Sequence, residues 1–321
     1  MKTFSFPLIL ILFLSANLFG QKVGKHQTVS VEPSADIQKI VDSATSQTIA
    51  KFADKGLKAE NLSVTLIDLR DANRLKSGSF RGEEKIYPAS VSKLFYLVAL
   101  HQWLENGKVK STPELQRATR DMIVDSSNEA TQFIVDVITD TSSGKELSPK
   151  ELEKWGFRRN AVNRYFTSLG YQNINVCQKT FCEDAYGREQ QFRGKDGINR
   201  NKLTTNATAR LMAEIALRKT VTTKRSDEMM ELMKRDWEGK VVDADDQTNG
   251  FTGIALKDLK LTGAKLWSKA GWTSTTRHDV AFIETPSGLK FVICVFTEKF
   301  ANEKNIIPTV AKIVLDELGK S

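Results

Sequence analysis

Three short stretches of this 321-residue chain carry side chains that could do covalent chemistry: Ser90-Val91-Ser92-Lys93, Ser126-Ser127-Asn128 and Lys269-Ala270-Gly271. Singly, each has an ordinary explanation. A serine ahead of a helical stretch is usually its N-cap, which accounts for Ser90 and equally for Ser126. A lysine at a strand edge is usually a solvated charge, which accounts for Lys269. Together they supply what acyl transfer needs. A serine alcohol is a poor nucleophile until a neighbouring base takes its proton. Lys93 follows Ser90 by one helical turn and faces the same way. In a mostly apolar helix, near a second cation such as Lys269, a lysine pKa falls far enough for the neutral amine to serve as that base. A helix N-terminus at Ser90 adds backbone N–H groups and a dipole that favour developing negative charge.

Other chemistries lack their residues. The chain is 40% hydrophobic and 27% charged, with 19 Gly and 7 Pro, which is globular composition and excludes collagen-like, low-complexity and wholly disordered readings. Its histidines are His26, His101 and His278, and no CxxC pair or HExxH helix occurs, so no metal centre is expected. No GxxxxGK[ST], no GxGxxG after a strand and no GxSxG elbow is present, so neither a nucleotide cofactor nor the common esterase layout is indicated, and no cofactor is expected. The net charge of +8 is scattered, without a basic block or an aromatic-rich RNA-binding signature; it reads as solvated surface rather than a nucleic-acid footprint.

The elements that must position these residues follow from hydrophobic period. Ala35 to Asp54 has helical spacing, and Leu62 to Leu69 alternates as a strand, with a second strand towards Ile86. Ser90 to Glu105 reads as a buried helix stopped by Asn106-Gly107. Pro113–Thr139 and Pro149–Leu169 read as helices, Cys177–Asn201 as a loop, and Thr204–Lys219 and Ser226–Arg235 as helices. Leu266–Gly271, Asp279–Glu284 and Leu289–Thr297 read as strands joined by turns, hence antiparallel, before a helix from Glu303 to Leu318. The expected class is α+β: an antiparallel sheet built from both chain ends (residues 35–88 and 203–319), with flanking helices and an inserted all-helical part (89–202).

The ordered series SxxK, SxN and KxG, with PASVSKLF around the first and strands around the last, resembles the penicillin-recognising serine enzymes, and most of all the class A β-lactamase family. Asp279-Val-Ala-Phe-Ile283, after Thr276-Arg277-His278, is similar to that family's strand following KTG. The likeness covers residues 35–319. It implies that Ser90 is acylated, that Lys93 is its base or proton relay, and that Ser126 passes a proton to the leaving nitrogen. It implies further that Asn128 hydrogen-bonds the substrate's side-chain amide and that Lys269, aided by Arg277, attracts the substrate carboxylate. The backbone N–H groups of Ser90 and Trp272 would form the oxyanion hole, Trp272 following Gly271 of the KxG motif. The substrate would be a small β-lactam or a cell-wall peptide, and the protein a monomer.

The same family deacylates with a Glu on a loop ahead of a Thr-rich helix start. Glu189-Gln-Gln-Phe-Arg193 is the nearest match to its ExxLN, with Glu183 as the rival. Arg193 stands where an Asn is usual, Asn201-Lys202 where a bracing Arg-Asp is usual, and Ala270 where a Thr or Ser is usual. Ser90 to Ser126 is shorter than customary, and a Lys/Glu/Arg-rich insertion lies around Thr141–Asn163. The acylating set is therefore complete while the set for rapid turnover is altered. Two further readings share that set: a D,D-peptidase-like cell-wall enzyme, and a non-hydrolytic domain that stays acylated.

Lys2, the apolar run Pro7–Leu14 and the small residues Ser15, Ala16 and Gly20 read as a cleaved signal peptide over residues 1–20, followed by a short lead at 21–34. Export to the periplasm or medium is the expected localisation, with no stable membrane insertion. Cys177 and Cys182, separated by a short polar segment, are candidates for a loop disulfide, and Cys294 for a buried thiol.

Overall fold

The computed structural model describes residues 26–240 and 246–320; the signal peptide read at residues 1–20 lies outside them. From the N-terminal side come β1 (Val31–Pro33), α1 (Ala35–Lys51), β2 (Leu62–Asp68) and β3 (Leu75–Phe80). The helical part follows: α2 (Lys93–Glu105), α3 (Pro113–Ile123), α4 (Asn128–Thr139), α5 (Pro149–Arg159), α6 (Ala161–Ser168) and the short α7 (Arg188–Arg193). The chain returns through α8 (Thr205–Ala216), α9 (Thr223–Met233), β4 (Lys234–Arg235) and α10 (Gly253–Asp258). It closes with β5 (Lys265–Trp272), β6 (Thr276–Glu284), β7 (Lys290–Glu298) and α11 (Ile306–Lys320).

These strands form one seven-stranded sheet in the order β1-β3-β2-β7-β6-β5-β4. The seam between the two chain ends is the antiparallel pairing of β2 with β7, from Leu62↔Thr297 to Asp68↔Phe291. All seven residues of β2 are buried because both of its faces are covered. Alternation along the strands feeds two cores. Leu62, Val64, Ile293 and Val295 meet α1 and α11 on one face, while Val280, Phe282, Val292 and Cys294 meet the side carrying α2 and α8. α2 is apolar around its whole circumference, as a helix buried on all sides must be, and Leu94 to Leu100 are inaccessible to solvent.

The structure departs from the expected pattern in several places. The lead at 21–34 contains β1, which pairs parallel with β3 (Val31↔Leu75), so the sheet is mixed at that edge rather than wholly antiparallel. Its three residues carry too little period to be read as a strand. Pro113–Thr139 is two helices, because Ser126 adopts φ +56° between them. The helix expected to reach Arg235 ends at Met233, and Lys234-Arg235 pair with Trp267 and Leu266 instead. The Cys177–Asn201 stretch is not loop throughout, since α7 lies within it.

Candidate active site

Ser90 lies in a 3-10 turn, Ala89–Ser92, that runs directly into α2. No side-chain cap bond forms at either start, so capping does not account for Ser90. Across from this turn, β4 pairs with Leu266 and Trp267, and among the described residues no strand pairs with the outer edge of Lys269–Trp272. Gly271 lets that edge close on the turn. A Cβ there would stand 2.7 Å from Ser90 N, 2.8 Å from Pro88 O and 2.9 Å from Val91 N, all of them backbone. The approach brings the strand bearing Trp272 against the Ser90 amide, the juxtaposition an oxyanion hole requires. His278 fastens the base of the turn. Its Nδ1 accepts from Thr297 N (3.1 Å), so Nε2 carries the proton and donates to Tyr87 O (2.9 Å). Burial lowers its pKa to about 4.

Two lysines converge on one hydroxyl. Lys93 Nζ lies 3.2 Å and Lys269 Nζ 3.0 Å from Ser126 Oγ. Lys93 also donates to Asn128 Oδ1 (3.0 Å) and Ser126 O (2.5 Å). Ser126 is free for this role because its neighbour does the capping: Ser127 Oγ accepts from Ala130 N at the start of α4. Both lysines are wholly buried. Desolvation brings the Lys93 pKa down to about 7, with Glu129 and Cys182 opposing the shift. Desolvation, reinforced by Lys93 and Arg235, holds Lys269 well below the ordinary lysine range. A neutral amine beside a hydroxyl is a proton acceptor, and a cation beside it favours the alkoxide.

Three expectations do not fit this geometry. Arg277 is on the wrong face: Lys269 pairs with Val280, so residues 278, 280 and 282 share its side, while Arg277 falls on the other. There it is buried, donates to Ala301 O (2.9 Å) and Gly250 O (2.7 Å), and stacks over Phe251. Glu189 is not a solvated loop charge. It is buried on α7, bonded to Arg159 (2.7 Å) and Ser143 (2.9 Å) and paired with Lys179 (3.3 Å). Among the described residues it shares no hydrogen bond with Lys93, Ser126 or Asn128. Its rival Glu183 is exposed. The Cys177–Cys182 disulfide is absent, with Cys177 a buried thiol and Cys182 an exposed one. Asn201 fastens the loop in its place. Its Oδ1 accepts from Cys177 N and Gln178 N, and its Nδ2 donates to Gln178 O.

Two site residues escaped the sequence reading. Gln247 accepts from Lys269 Nζ (2.5 Å) and Ala270 N (3.2 Å) while donating to Ile123 O and Val124 O, so it ties β5 to the end of α3. No motif marks it. Cys182 touches Asn128 (3.5 Å), and only its polar, loop-borne setting hinted at such a place.

The turn carrying Ser90 against β5, and two desolvated lysines on Ser126, lie between a helical part and a mixed sheet, an arrangement that fits a serine hydrolase of the penicillin-recognising superfamily. A family model described as the β-lactamase enzyme family matches residues 44–318, and the chain belongs to that family. No curated protein matches it. Among solved structures it is similar to PBP-A, at TM-score 0.61 and 18% identity over 92% of this chain and 100% of that one. A β-lactamase from Sphaerobacter thermophilus DSM 20745 gives 0.62 and 16% over 88% and 98%. A class A β-lactamase from Bacteroides cellulosilyticus DSM 14838 gives 0.58 and 16% over 88% and 99%. At these identities the likeness is one of fold.

Proposed function

We propose that this protein is an exported, monomeric class A-type β-lactamase that opens a β-lactam amide through an acyl-enzyme on Ser90. Lys93, as the neutral amine, takes the Ser90 proton, directly or through Ser126. The Ser90 oxygen bonds to the lactam carbonyl carbon, and the resulting oxyanion is held by the amides of Ser90 and Trp272. The C–N bond then breaks as Ser126 protonates the leaving nitrogen and takes back, from Lys93 Nζ at 3.2 Å, the proton that came from Ser90. Lys269 holds the substrate carboxylate without help from Arg277. The observation that carries this reading is the convergence of Lys93 and Lys269 on Ser126 Oγ, with Lys93 desolvated to about 7.

A second reading is favoured by one observation: Glu189 is engaged with Arg159 and Lys179, away from Lys93. A D,D-peptidase-like or penicillin-binding enzyme acylates with the same residues and clears the adduct slowly. A variant of PBP-A has been solved as an acyl-enzyme complex with penicillin G.

One experiment separates them: intact mass and absorbance of the purified mature protein with a chromogenic cephalosporin, beside Ser90→Ala. Colour over many equivalents, lost in Ser90→Ala, supports the β-lactamase. A lasting adduct that needs Ser90 supports the second reading, and neither signal sinks both. Export is tested separately by N-terminal sequencing of the protein recovered outside the cytoplasm.

A further inference from the structure

Asn128 sits between two partners of different character. Its Oδ1 accepts from Lys93 Nζ at 3.0 Å, and its Nδ2 donates to Cys182 Sγ at 3.5 Å. The sulfur in turn lies 3.8 Å from Glu129 Oε1. These contacts have one consistent direction. With Oδ1 accepting from Lys93 Nζ, Nδ2 is the end that donates to sulfur, and the thiol hydrogen then points to the carboxylate. An amide NH₂ carries two hydrogens, so one stays on sulfur and the other is left for a substrate carbonyl.

The sulfur is held where it is by the loop around it. Gln132 Nε2 of α4 donates to Thr180 O (3.1 Å), and Asn201 grips the backbone at Cys177 and Gln178.

We propose that Cys182 is a positioning residue of this site, holding the Asn128 amide with Oδ1 on Lys93 and one N–H free for an acylamino substrate. The proposal rests on the acylating role of Ser90 given above. It assigns the loop a thiol at the wall of the site, next to the amide, and makes preference for the substrate side chain depend on it. Cys182 is the exposed thiol of the three, so replacing it leaves the cores intact.

The test is the rate of Ser90 acylation, followed by intact mass, in the full mature chain and in Cys182→Ala and Cys182→Ser. The two probes are benzylpenicillin, which bears an acyl amide, and 6-aminopenicillanic acid, which does not. Cys182→Ala should slow benzylpenicillin about five- to tenfold, the weight of one oriented hydrogen bond, and slow 6-aminopenicillanic acid by less than about twofold. Cys182→Ser, which keeps an acceptor for Nδ2, should return benzylpenicillin to within about twofold of wild type. Equal losses on both probes, no loss in Cys182→Ala, or failure of Cys182→Ser to rescue would each overturn the proposal. A wild type that neither probe acylates would instead refute the role of Ser90, and the proposal would fall with it.

Discussion

Two clusters of buried charge in this protein contain similar residues and do different things. Around Ser126, Lys93 and Lys269 are wholly buried, with Arg235 close behind. The nearby buried carboxylate, Asp279, is engaged by Thr252 N and Oγ1. Around Glu189, every cation has an anion in reach: Arg159 to Glu189 and Asp136, Lys179 to both as well. The first cluster holds excess positive charge, and burial lowers the pKa values of both lysines. The second is neutralised within itself. Burial alone therefore does not mark a reacting group; burial without a compensating charge does. The second cluster braces the insertion, since Arg159 ends α5, Glu189 sits on α7, and Trp155 packs against Phe192 (5.2 Å) beside them.

That contrast can be broken at either end. The largest effect should come from Lys93→Met, which removes the base and should slow acylation about 10²–10⁴-fold in stopped-flow or mass measurements. In the wild type the rate should climb with pH and level off above about 7, because the neutral amine is the active form. A rate flat from about pH 5 to 9 would remove Lys93 from the role. Arg159→Met leaves Glu189 with Lys179 as its cation and Ser143 as its donor, and should cost about 3–5 kcal/mol in urea unfolding. The folded variant should still acylate within about twofold of wild type. If acylation drops with stability, the two clusters are one functional unit and the contrast fails.

Smaller effects sharpen it. His278 has a folded-state pKa of about 4, below its unfolded value of about 6.5. Its contribution is full above about 6.5 and is lost as pH falls through about 4, at most about 3 kcal/mol. Urea midpoints at neutral and acid pH should show that loss in the wild type and less of it in His278→Gln. Gln247→Ala should be the mildest, slowing acylation about three- to tenfold by loosening Lys269. An unchanged rate would show that Ser126 and Ala270 O alone hold the ammonium, as their contacts of 3.0 and 2.7 Å would permit.

The elements with strong period were legible in advance: the alternating run at Leu62, the apolar helix after Ser90, the three C-terminal strands and their pairing with the N-terminal end. So were the three motifs and their order, and the structure brings Lys93, Ser126, Asn128 and Lys269 together. The short elements were not: three residues at β1 and two at β4 have no period to read, and their pairing is decided by neighbours distant in sequence. Ser126 and Ser127 illustrate the same limit, because only the φ of +56° at Ser126 decides that its neighbour caps α4 and that its own hydroxyl meets two lysines.

The sequence by itself determined the order of motifs, the serine–lysine turn and the mixed composition that two sheet faces and a helical part require. Tertiary structure decided the partners. Arg277 was placed on the far face by the one-residue alternation of β6, and Glu189 was drawn to Arg159 and Lys179 from the insertion. Gln247 and Cys182 were brought to the lysines by loops without a motif. Local chemistry depends on near neighbours in the chain, whereas the charge balance of a buried group depends on side chains the fold brings from elsewhere, and that balance separates the lysines at Ser126 from those that brace the insertion.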